Sequence, residues 1–286
     1  MKKVLITGSS GFIGRHIAAK LKTQNIEVVE FCRKNHQDVT RAADFDKLPQ
    51  VDTVFHLAAV SGYKSSKENV SLAYQVNVLG TVNVLEYCRK VKAKMIFSST
   101  YVYGKPYEKF KKESDNLNPS THYSFTKFLG EELCRFYNRV YGVETLILRT
   151  SNVYGPSQDE IYIVPVIATH LLDKKPLILT KPEVERSFIY IDDLVEAYIQ
   201  LAQAKTLAGD AYNVGPNKPT TLKELVVLMI KISGTIPKIS YSGKDRPSEA
   251  DKNRIDTTKI KAAIGWQPKI SLKEGLKLYF NSLVNR

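Results

Sequence analysis

The sequence has few cysteines and no long apolar segment. Its three cysteines, Cys32, Cys88 and Cys134, lie far apart and form no C-x-x-C pair. This pattern argues against a disulfide framework and a zinc site, and it is typical of a protein of the reducing cytosol. No run of about 18 apolar residues is present, and the first apolar run is too short for a signal peptide. We therefore expect a cytoplasmic protein with no metal site and no membrane span.

Acidic side chains are scarce relative to basic ones. The chain has 42 Lys and Arg against 29 Asp and Glu, which gives a formal net charge of +13. An excess of this size suits an anionic partner, such as nucleic acid, a membrane surface or a phosphate-bearing small molecule. The basic residues are spread along the chain, as they are on a solvated surface. The charge by itself therefore selects no partner, and we expect neither a nucleic acid nor a membrane.

The first half of the sequence alternates strand patterns with helix patterns. Continuous apolar runs rich in β-branched residues predict strands at 4–7, 27–31, 53–57, 94–98 and 145–148. Apolar residues at helical spacing lie between them, for example Ile13, Ile17 and Leu21. Continuous apolar strands that alternate with amphipathic helices are typical of a parallel sheet covered on both faces. The sequence therefore predicts an α/β fold with a doubly wound parallel sheet.

Three glycines follow the first predicted strand. Gly8, Gly11 and Gly14 stand where that strand turns into a helix. In a doubly wound sheet the first glycine permits the tight turn, the second lets the backbone approach a phosphate, and the third lets the helix pack closely. The first residues of the helix, Phe12 and Ile13, then offer free N–H groups and a positive dipole end. This turn predicts the pyrophosphate site of a bound dinucleotide.

The pattern changes after Thr150, where prolines divide the chain into short elements. The stretch 186–202 again looks like a strand followed by a helix that belongs to the sheet. We therefore expect an NAD(P)-binding Rossmann domain made of residues 1–148 and about 187–216. Residues about 149–186 and 217–286 would form a smaller, discontinuous lobe for the substrate.

The glycine spacing is G-x-x-G-x-x-G, and several further segments accompany it. They are HLAA at 56–59, NVLGTVNVLE at 77–86, FSSTYVYG at 97–104, YSFTK at 123–127, LRTSNVYGP at 148–156, RSFIYIDDL at 186–194 and IGWQPKISLKEGL at 264–276. Together they resemble the extended short-chain dehydrogenases/reductases, the NAD-dependent epimerase/dehydratase family that modifies sugar nucleotides. The resemblance covers nearly the whole chain. It implies a homodimer, and cofactor contacts at Asp38, Val39, Leu57, Ala58 and Ala59.

Tyr123, Lys127 and Ser99 are the candidate catalytic residues. Tyr123 and Lys127 are four residues apart on a predicted helix, so they share one face. A phenol is a poor base at pH 7, and a nearby ammonium should lower its pKa and let it exchange a proton with the substrate. The resemblance also places Lys127 and Tyr123 against the nicotinamide ribose. Ser99, at the end of the fourth strand, would hydrogen-bond the same substrate oxygen.

The residues after Ser99 separate the branches of the family. Dehydratases and decarboxylases place an acidic residue there, whereas this chain has Thr100 and Tyr101. Neither side chain can replace a carboxylate as general base. The remaining reactions are net reduction of a 4-keto sugar and epimerisation at C4.

The end of the second strand bears on the cofactor. NAD-using relatives place an Asp there for the adenosine ribose, but this chain has Cys32, Arg33 and Lys34. The change removes a carboxylate that would repel a 2′-phosphate and adds two cations, which favours NADP(H) over NAD(H). In the family, reductases usually use NADPH, whereas epimerases generally retain NAD. The cofactor therefore favours a reductase.

The substrate end is predicted from the resemblance. Asn152 and Arg246 match positions that contact the nucleotide diphosphate, and Arg186 is a further candidate. Ser99 and Thr100 complete the set of expected substrate contacts. Arginine suits a diphosphate because its planar fork forms paired, charge-assisted hydrogen bonds.

Three functions follow from these observations. The first is an NADPH-dependent 4-ketoreductase for a nucleotide-linked deoxysugar, with Tyr123 as the general acid. The second is a 4-epimerase, similar to UDP-glucose 4-epimerase, with retained NAD. The third is a non-enzymatic dinucleotide sensor or RNA-binding protein on the same fold, for which the charge of +13 would be the footprint. Such a protein has no need of Ser99, Tyr123 and Lys127 together.

Overall fold

The computed structural model describes residues 1–104, 109–204, 209–243 and 252–284. Its strands are β1 (Lys3–Thr7), β2 (Glu27–Phe31), β3 (Thr53–His56), β4 (Lys94–Ser99), β5 (Thr145–Thr150), β6 (Asn152–Tyr154), β7 (Leu177–Leu179), β8 (Glu185–Arg186), β9 (Phe188–Tyr190), β10 (Ala211–Val214), β11 (Thr220–Thr221), β12 (Ile239–Tyr241) and β13 (Lys252–Asn253).

The helices lie between these strands and after them. They are α1 (Phe12–Thr23), α2 (Tyr63–Glu68), α3 (Val70–Tyr74), α4 (Gly80–Val91), α5 (His122–Tyr141), α6 (Ile163–Leu172), α7 (Ile191–Gln203), α8 (Leu222–Ser233), α9 (Thr258–Ile264) and α10 (Leu272–Val284). A π-helical segment, Gln75–Leu79, joins α3 to α4, and short 3₁₀ turns occur at Arg33–Asn35 and Ala42–Phe45.

Six strands form one parallel sheet in the order β10-β5-β4-β3-β1-β2. The order reverses between β1 and β3, and a crevice opens above the carboxyl ends of the strands at such a switch point. Five of the six are the strands predicted from the apolar runs, with bounds that differ by at most two residues at either end. The α/β doubly wound architecture is therefore confirmed.

The sheet is buried on both faces, which explains its continuous apolar strands. Val4, Leu5 and Ile6 are fully buried although successive side chains point to opposite faces. One face packs against α1 and α7, and the other packs against α4 and α5. The two hydrophobic cores on these faces hold β1 and the neighbouring strands between them.

The second lobe shares the core of the first face. A single cluster of buried side chains joins Val4 and Ile6 of β1 to Leu225 and Met229 of α8 and to Phe280 of α10. The chain leaves the large sheet after β5, returns with α7 and β10, and leaves it again with β11. We propose on this path that the cofactor domain comprises residues 1–148 and about 187–216, and that the remainder forms the substrate lobe.

No helix within the described ranges is both long and apolar enough to cross a membrane. Across the same ranges, no group of three or more His, Cys, Asp or Glu side chains could hold a metal ion.

Candidate active site

The glycine turn between β1 and α1 closes tightly on itself and on β3. Gly8 adopts φ +72°, and a Cβ at this position would lie 2.8 Å from the backbone nitrogen of Ala58. A Cβ at Gly14 would lie 2.3 Å from the Gly8 carbonyl oxygen. The Gly11 N–H donates to that same oxygen at 2.9 Å. Side chains at positions 8 and 14 are therefore excluded, and the turn places α1 directly above the end of β1.

The N-terminus of α1 faces the crevice with its donors available. Gly11 is the N-cap and supplies no side-chain hydrogen bond, and the first turn contains no acidic residue. Phe12 and Ile13 line the crevice, and N–H groups in the first turn of a helix have no acceptor within the helix. An uncapped helix start with a positive dipole end is the arrangement that binds phosphate groups. The turn fits the pyrophosphate of a dinucleotide.

The end of β2 presents a thiol and two cations to the crevice. Cys32 is 8% exposed, and Arg33 and Lys34 follow it in an exposed 3₁₀ turn. Burial raises the pKa of the Cys32 thiol, but the Ser9 and Ser10 side chains and the backbone at Asn35 and Lys34 together outweigh it and lower that pKa below its usual value. All three of the predicted residues from Cys32 to Lys34 line the crevice.

Neither nearby carboxylate replaces the missing Asp at the end of β2. Glu30 forms an ion pair with Lys22 on α1 at 2.6 Å and does not line the crevice. Asp38 and Val39 do line it, but the Asp38 carboxylate accepts hydrogen bonds from the backbone and hydroxyl of Thr40, both at 2.9 Å. Burial raises the pKa of Asp38, but these bonds and the charges of Arg33 and Arg41 together hold it below its usual value.

The segment after β3 is held in place by a buried histidine. His56 is fully buried between two hydroxyls, Thr7 Oγ1 at 2.7 Å from Nδ1 and Thr81 Oγ1 at 3.0 Å from Nε2. Thr81 donates its own hydrogen to the Asn77 carbonyl, so it accepts from Nε2 of His56. Burial, with the charge of Lys127 as the second cause, lowers the pKa of His56 to about 3. The side chains that follow, Leu57, Ala58 and Ala59, line the crevice as predicted.

Tyr123 and Lys127 stand together on the first turns of α5, on one wall of the crevice. A capping box between Thr121 and Ser124 fixes the start of this helix. Lys127 is 2% exposed, and burial lowers its pKa to about 8. Its ammonium lies 4.3 Å from the centre of the Phe97 ring. The sequence therefore places the pair correctly on one face of α5.

The electrostatics of Tyr123 differ from the expectation. Burial raises the pKa of its phenol well above the usual value, the nearby phenol of Tyr162 raises it further, and a hydrogen bond from Thr100 lowers it only in part. Lys127 is not among the groups that shift it. The predicted lowering by the ammonium is therefore wrong for this structure, because the desolvation of the phenol dominates and the ammonium rests on Phe97.

Ser99 and Thr100 point in different directions. The Ser99 hydroxyl is buried and donates to Glu131 Oε1 at 2.6 Å, beneath the crevice. The neighbouring side chain that lowers the pKa of Tyr123 is that of Thr100, one residue later. The sequence predicts that Ser99 bonds the substrate oxygen, but in this structure its hydroxyl turns to Glu131.

A buried polar network supports this part of the site, and the sequence analysis missed it. Glu131 accepts from Arg149 through Nε at 2.9 Å and Nη2 at 2.6 Å, and Arg149 is 1% exposed. Arg149 also donates to the Tyr103 hydroxyl at 2.9 Å, and Tyr103 donates to Asn213 at 2.7 Å. Two signals were available: Glu131 is four residues after Lys127 on the same helix, and Arg149 interrupts the apolar strand β5.

The substrate end of the crevice is built from the second lobe. Asn152 in β6 and Arg186 in β8 both line it. Arg186 donates to the Glu185 carbonyl at 2.8 Å, and its neighbour Arg254 pairs with the Glu185 carboxylate at 2.6 Å. Arg246, the remaining predicted contact, lies outside the described residues.

One crevice joins the two ends. It has a volume of about 1500 Å³ and runs from the glycine turn past Tyr123 to β7 and β8. A pocket for one drug-sized ligand measures roughly 300–1,000 Å³, so this crevice has room for a dinucleotide and a second ligand side by side. Tyr162, which the sequence analysis also missed, enters it from the second lobe.

Known proteins match nearly the whole of this chain. The chain is 34% identical to a putative UDP-glucose 4-epimerase of Methanocaldococcus jannaschii, with 99% of this chain and 98% of that protein covered. It is 29% identical to UDP-glucuronic acid decarboxylase 1 of Arabidopsis thaliana, with 99% of this chain and 70% of that protein covered.

A solved structure extends the comparison. UDP-glucose 4-epimerase of Thermus thermophilus in complex with NAD superposes with a TM-score of 0.91 at 28% identity and 99% coverage of both chains. The model of the NAD dependent epimerase/dehydratase family matches residues 4–215. With the glycine turn, the Tyr123–Lys127 pair and the crevice in place, the chain belongs to the NAD dependent epimerase/dehydratase family, whose members are enzymes of the extended short-chain dehydrogenase/reductase type.

Proposed function

We propose that this member of the family is an NADPH-dependent reductase of the 4-keto group of a nucleotide-linked deoxysugar. The coarser assignment, a nucleotide-sugar-modifying enzyme that uses NAD(P), follows from the family. The observation that carries the finer one is the end of β2, where Cys32, Arg33 and Lys34 line the crevice. Two cations and no carboxylate at this point suit the 2′-phosphate of NADP(H).

The bound cofactor would supply the hydride, and the chain's own residues handle the oxygen and its proton. Tyr123 donates the proton to the former keto oxygen as general acid. The Thr100 side chain, which lowers the pKa of the Tyr123 phenol, stabilises the phenolate left behind. Lys127, buried one turn further along α5, brings a positive charge to the same wall. Ser99 reaches the substrate only by exchanging its bond to Glu131.

The residues after Ser99 favour reduction over elimination or decarboxylation. The acidic residues among the described lining of the crevice are Asp38, Glu68 and Asp159. Thr100 and Tyr101 bring no carboxylate to the position that follows Ser99. This position therefore lacks a general base that could remove a proton from the carbon beside C4. In this respect the chain differs from what the name of the Arabidopsis relative, a decarboxylase, would suggest.

A 4-epimerase with retained NAD is the second candidate. The names of the Methanocaldococcus relative and the Thermus structure, which holds NAD, favour it. Tyr123, Thr100 and Lys127 would serve it equally, because epimerisation oxidises and then reduces the same carbon. The two candidates differ in whether the cofactor stays bound.

The cofactor is therefore the first thing to measure. Denaturing the purified protein and identifying any released nucleotide tests for retained NAD, whose presence would contradict the reductase. Titration with NADPH and NADH should show at least a tenfold preference for NADPH, about 1.4 kcal/mol. Cys32→Asp should remove that preference, and Cys32→Ser serves as the control because it adds no charge. A screen of 4-keto nucleotide sugars follows if NADPH is preferred.

We also propose that the protein is a homodimer. Exposed apolar side chains lie on α5 and on the segment before α4, with Phe136 at 42%, Val140 at 50% and Leu79 at 48% exposure. Two such helices from each copy would pack as a four-helix bundle. Light scattering should give twice the chain mass, and Val140→Glu should lower it to one chain.

A further inference from the structure

Tyr162 is fixed on the second lobe and enters the crevice from the wall opposite α5. It immediately precedes α6, and its carbonyl accepts from the Val166 N–H at 2.9 Å while its own N–H donates to the Asp159 carbonyl at 3.2 Å. The helix that it starts is anchored in the core by fully buried Ile167 and Leu171. The position of the Tyr162 ring is therefore set by a rigid element.

The Tyr162 phenol spans the crevice to the loop after β3. Its oxygen lies 3.4 Å from the Ser61 hydroxyl oxygen, and a Cβ at Gly62 would lie 3.9 Å from it. This separation is longer than the roughly 2.5–3.0 Å of an ordinary bond between two hydroxyls, so the contact is weak. A ligand hydroxyl could replace it at little cost and bond both groups.

Tyr162 and Tyr123 reach the crevice from different lobes. The Tyr162 phenol is also one of the groups that raise the pKa of Tyr123. Both line the same crevice, together with Thr100 and Ser61. A sugar that presents one oxygen to Tyr123 therefore presents a neighbouring substituent to Tyr162 and Ser61.

We propose that Tyr162 and Ser61 form a specificity site for the C3 hydroxyl of a nucleotide-linked hexopyranose. The assignment rests on the proposed chemistry at C4, which places that oxygen on Tyr123. The substituents next to it are then the C3 hydroxyl and the C5–C6 group. Two protein hydroxyls match a hydroxyl, whereas C6 of a 6-deoxysugar is a methyl group. Tyr162 acts here as a binding residue that selects the substrate.

The test is a binding measurement, so it needs no turnover. Wild-type protein, Tyr162→Phe and Ser61→Ala are titrated with UDP, UDP-glucose, UDP-3-deoxyglucose and UDP-6-deoxyglucose. We expect Tyr162→Phe to weaken the binding of UDP-glucose and of the 6-deoxy sugar about tenfold. The binding of UDP and of the 3-deoxy sugar should be unchanged. Tyr241→Phe is the matched control, since Tyr241 belongs to the same lobe but does not line the crevice.

Several outcomes overturn the proposal. The first is an equal loss of affinity for UDP in Tyr162→Phe, which indicates a structural role. The second is a loss of affinity that persists with the 3-deoxy sugar, and the third is a loss of affinity confined to sugars with a C6 hydroxyl. A wild-type protein that binds UDP-glucose no more tightly than UDP also overturns it. The proposed reductase fails separately: a Tyr123→Phe variant that still reduces a 4-keto sugar removes that function, whatever the C3 dependence shows.

Discussion

The two ends of the crevice are built in different ways. The cofactor end consists of short stretches that directly follow β1, β2 and β3, each at the carboxyl edge of one sheet. The substrate end takes Asn152, Tyr162 and Arg186 from separate short elements of the second lobe. Backbone geometry therefore shapes the first end, whereas side chains that are distant in sequence assemble the second.

This difference decides which changes each end tolerates. At the cofactor end the contacts are N–H groups and close backbone approaches, so the sensitive positions are those where a Cβ does not fit, such as Gly8. At the substrate end the contacts are made by the polar groups of side chains, so function there depends on which chemical group each side chain carries. Tyr123 lines the crevice between the two ends.

The largest effect is expected where the two ends meet. Tyr123→Phe removes the proton donor and should lower kcat by roughly 10²- to 10⁴-fold. NADPH and UDP affinities should change much less than kcat, because each nucleotide keeps its other predicted contacts. Steady-state kinetics with a 4-keto nucleotide sugar and equilibrium titrations measure the two quantities. Tyr141→Phe, on the same helix but 50% exposed, is the control; an equal loss in both variants would contradict the role of Tyr123.

The ion pair beneath the catalytic wall should dominate stability. Glu131→Gln leaves the Arg149 guanidinium buried without its counter-ion and should cost about 3–5 kcal/mol in urea unfolding. Glu30→Gln removes an ion pair of the same 2.6 Å length on the surface, where such a pair contributes about 0–1 kcal/mol. Similar losses in the two variants would show that burial does not set the value of the pair.

The buried ammonium of Lys127 should make stability depend on pH in a known direction. Its pKa is about 8 in the folded protein and 10.5 in the unfolded chain, so the unfolded chain binds more protons between these values. The charge therefore destabilises the fold below pH 8, and the penalty is relieved as pH rises towards 10.5. Lys127→Met should be more stable than wild type at pH 7 by up to about 3 kcal/mol, and the difference should vanish by about pH 10.5. A difference that stays constant with pH would refute the shift.

A substitution in the glycine turn should weaken binding at the cofactor end only. Gly8→Ala combines a positive φ with a Cβ 2.8 Å from backbone, and it should weaken NADPH binding by more than tenfold while leaving UDP binding unchanged. Gly234→Ala has nearly the same φ, +70°, with no atom within 4 Å, so it isolates the cost of the backbone conformation. Calorimetric titration with NADPH measures the affinity of both variants. An equal loss of NADPH affinity in the two would contradict the prediction.

A change at the substrate end should have the smallest effect, and it should weaken UDP binding instead of NADPH binding. Arg186→Lys keeps the charge but removes the planar fork, so it should weaken UDP binding about threefold to tenfold and leave NADPH binding unchanged. The measurement is a pair of titrations with UDP and NADPH. A loss of NADPH affinity in this variant would mean that the two ends are not separable.

Much of this molecule could be predicted because its signals are local. The strands β1 to β5 could be predicted from their apolar runs, because strands buried on both faces contain few polar residues. The i, i+4 spacing of Tyr123 and Lys127 places them on one face of α5 whatever surrounds that helix. The glycine turn is equally local, because the excluded Cβ positions follow from the backbone path.

Prediction failed where burial or long-range contact decides. The pKa of Tyr123 depends on desolvation, which no spacing reveals, and the expected lowering by Lys127 was wrong. The direction of the Ser99 hydroxyl depends on Glu131, which is 32 residues away. Tyr162 meets Ser61 across 101 residues, and nothing in its own sequence neighbourhood indicates that contact.

The sequence by itself determined the parallel sheet, the dinucleotide turn, the family and the pairing of Tyr123 with Lys127, because each is written in residues close together along the chain. The tertiary structure alone decided that the Ser99 hydroxyl turns to Glu131, that Glu131 and Arg149 support the site, and that Tyr162 faces it from the second lobe. These arrangements arise when β5, α5 and α6 pack around one crevice. Their energies come from burial and from contacts between distant residues, which exist only once the chain has folded.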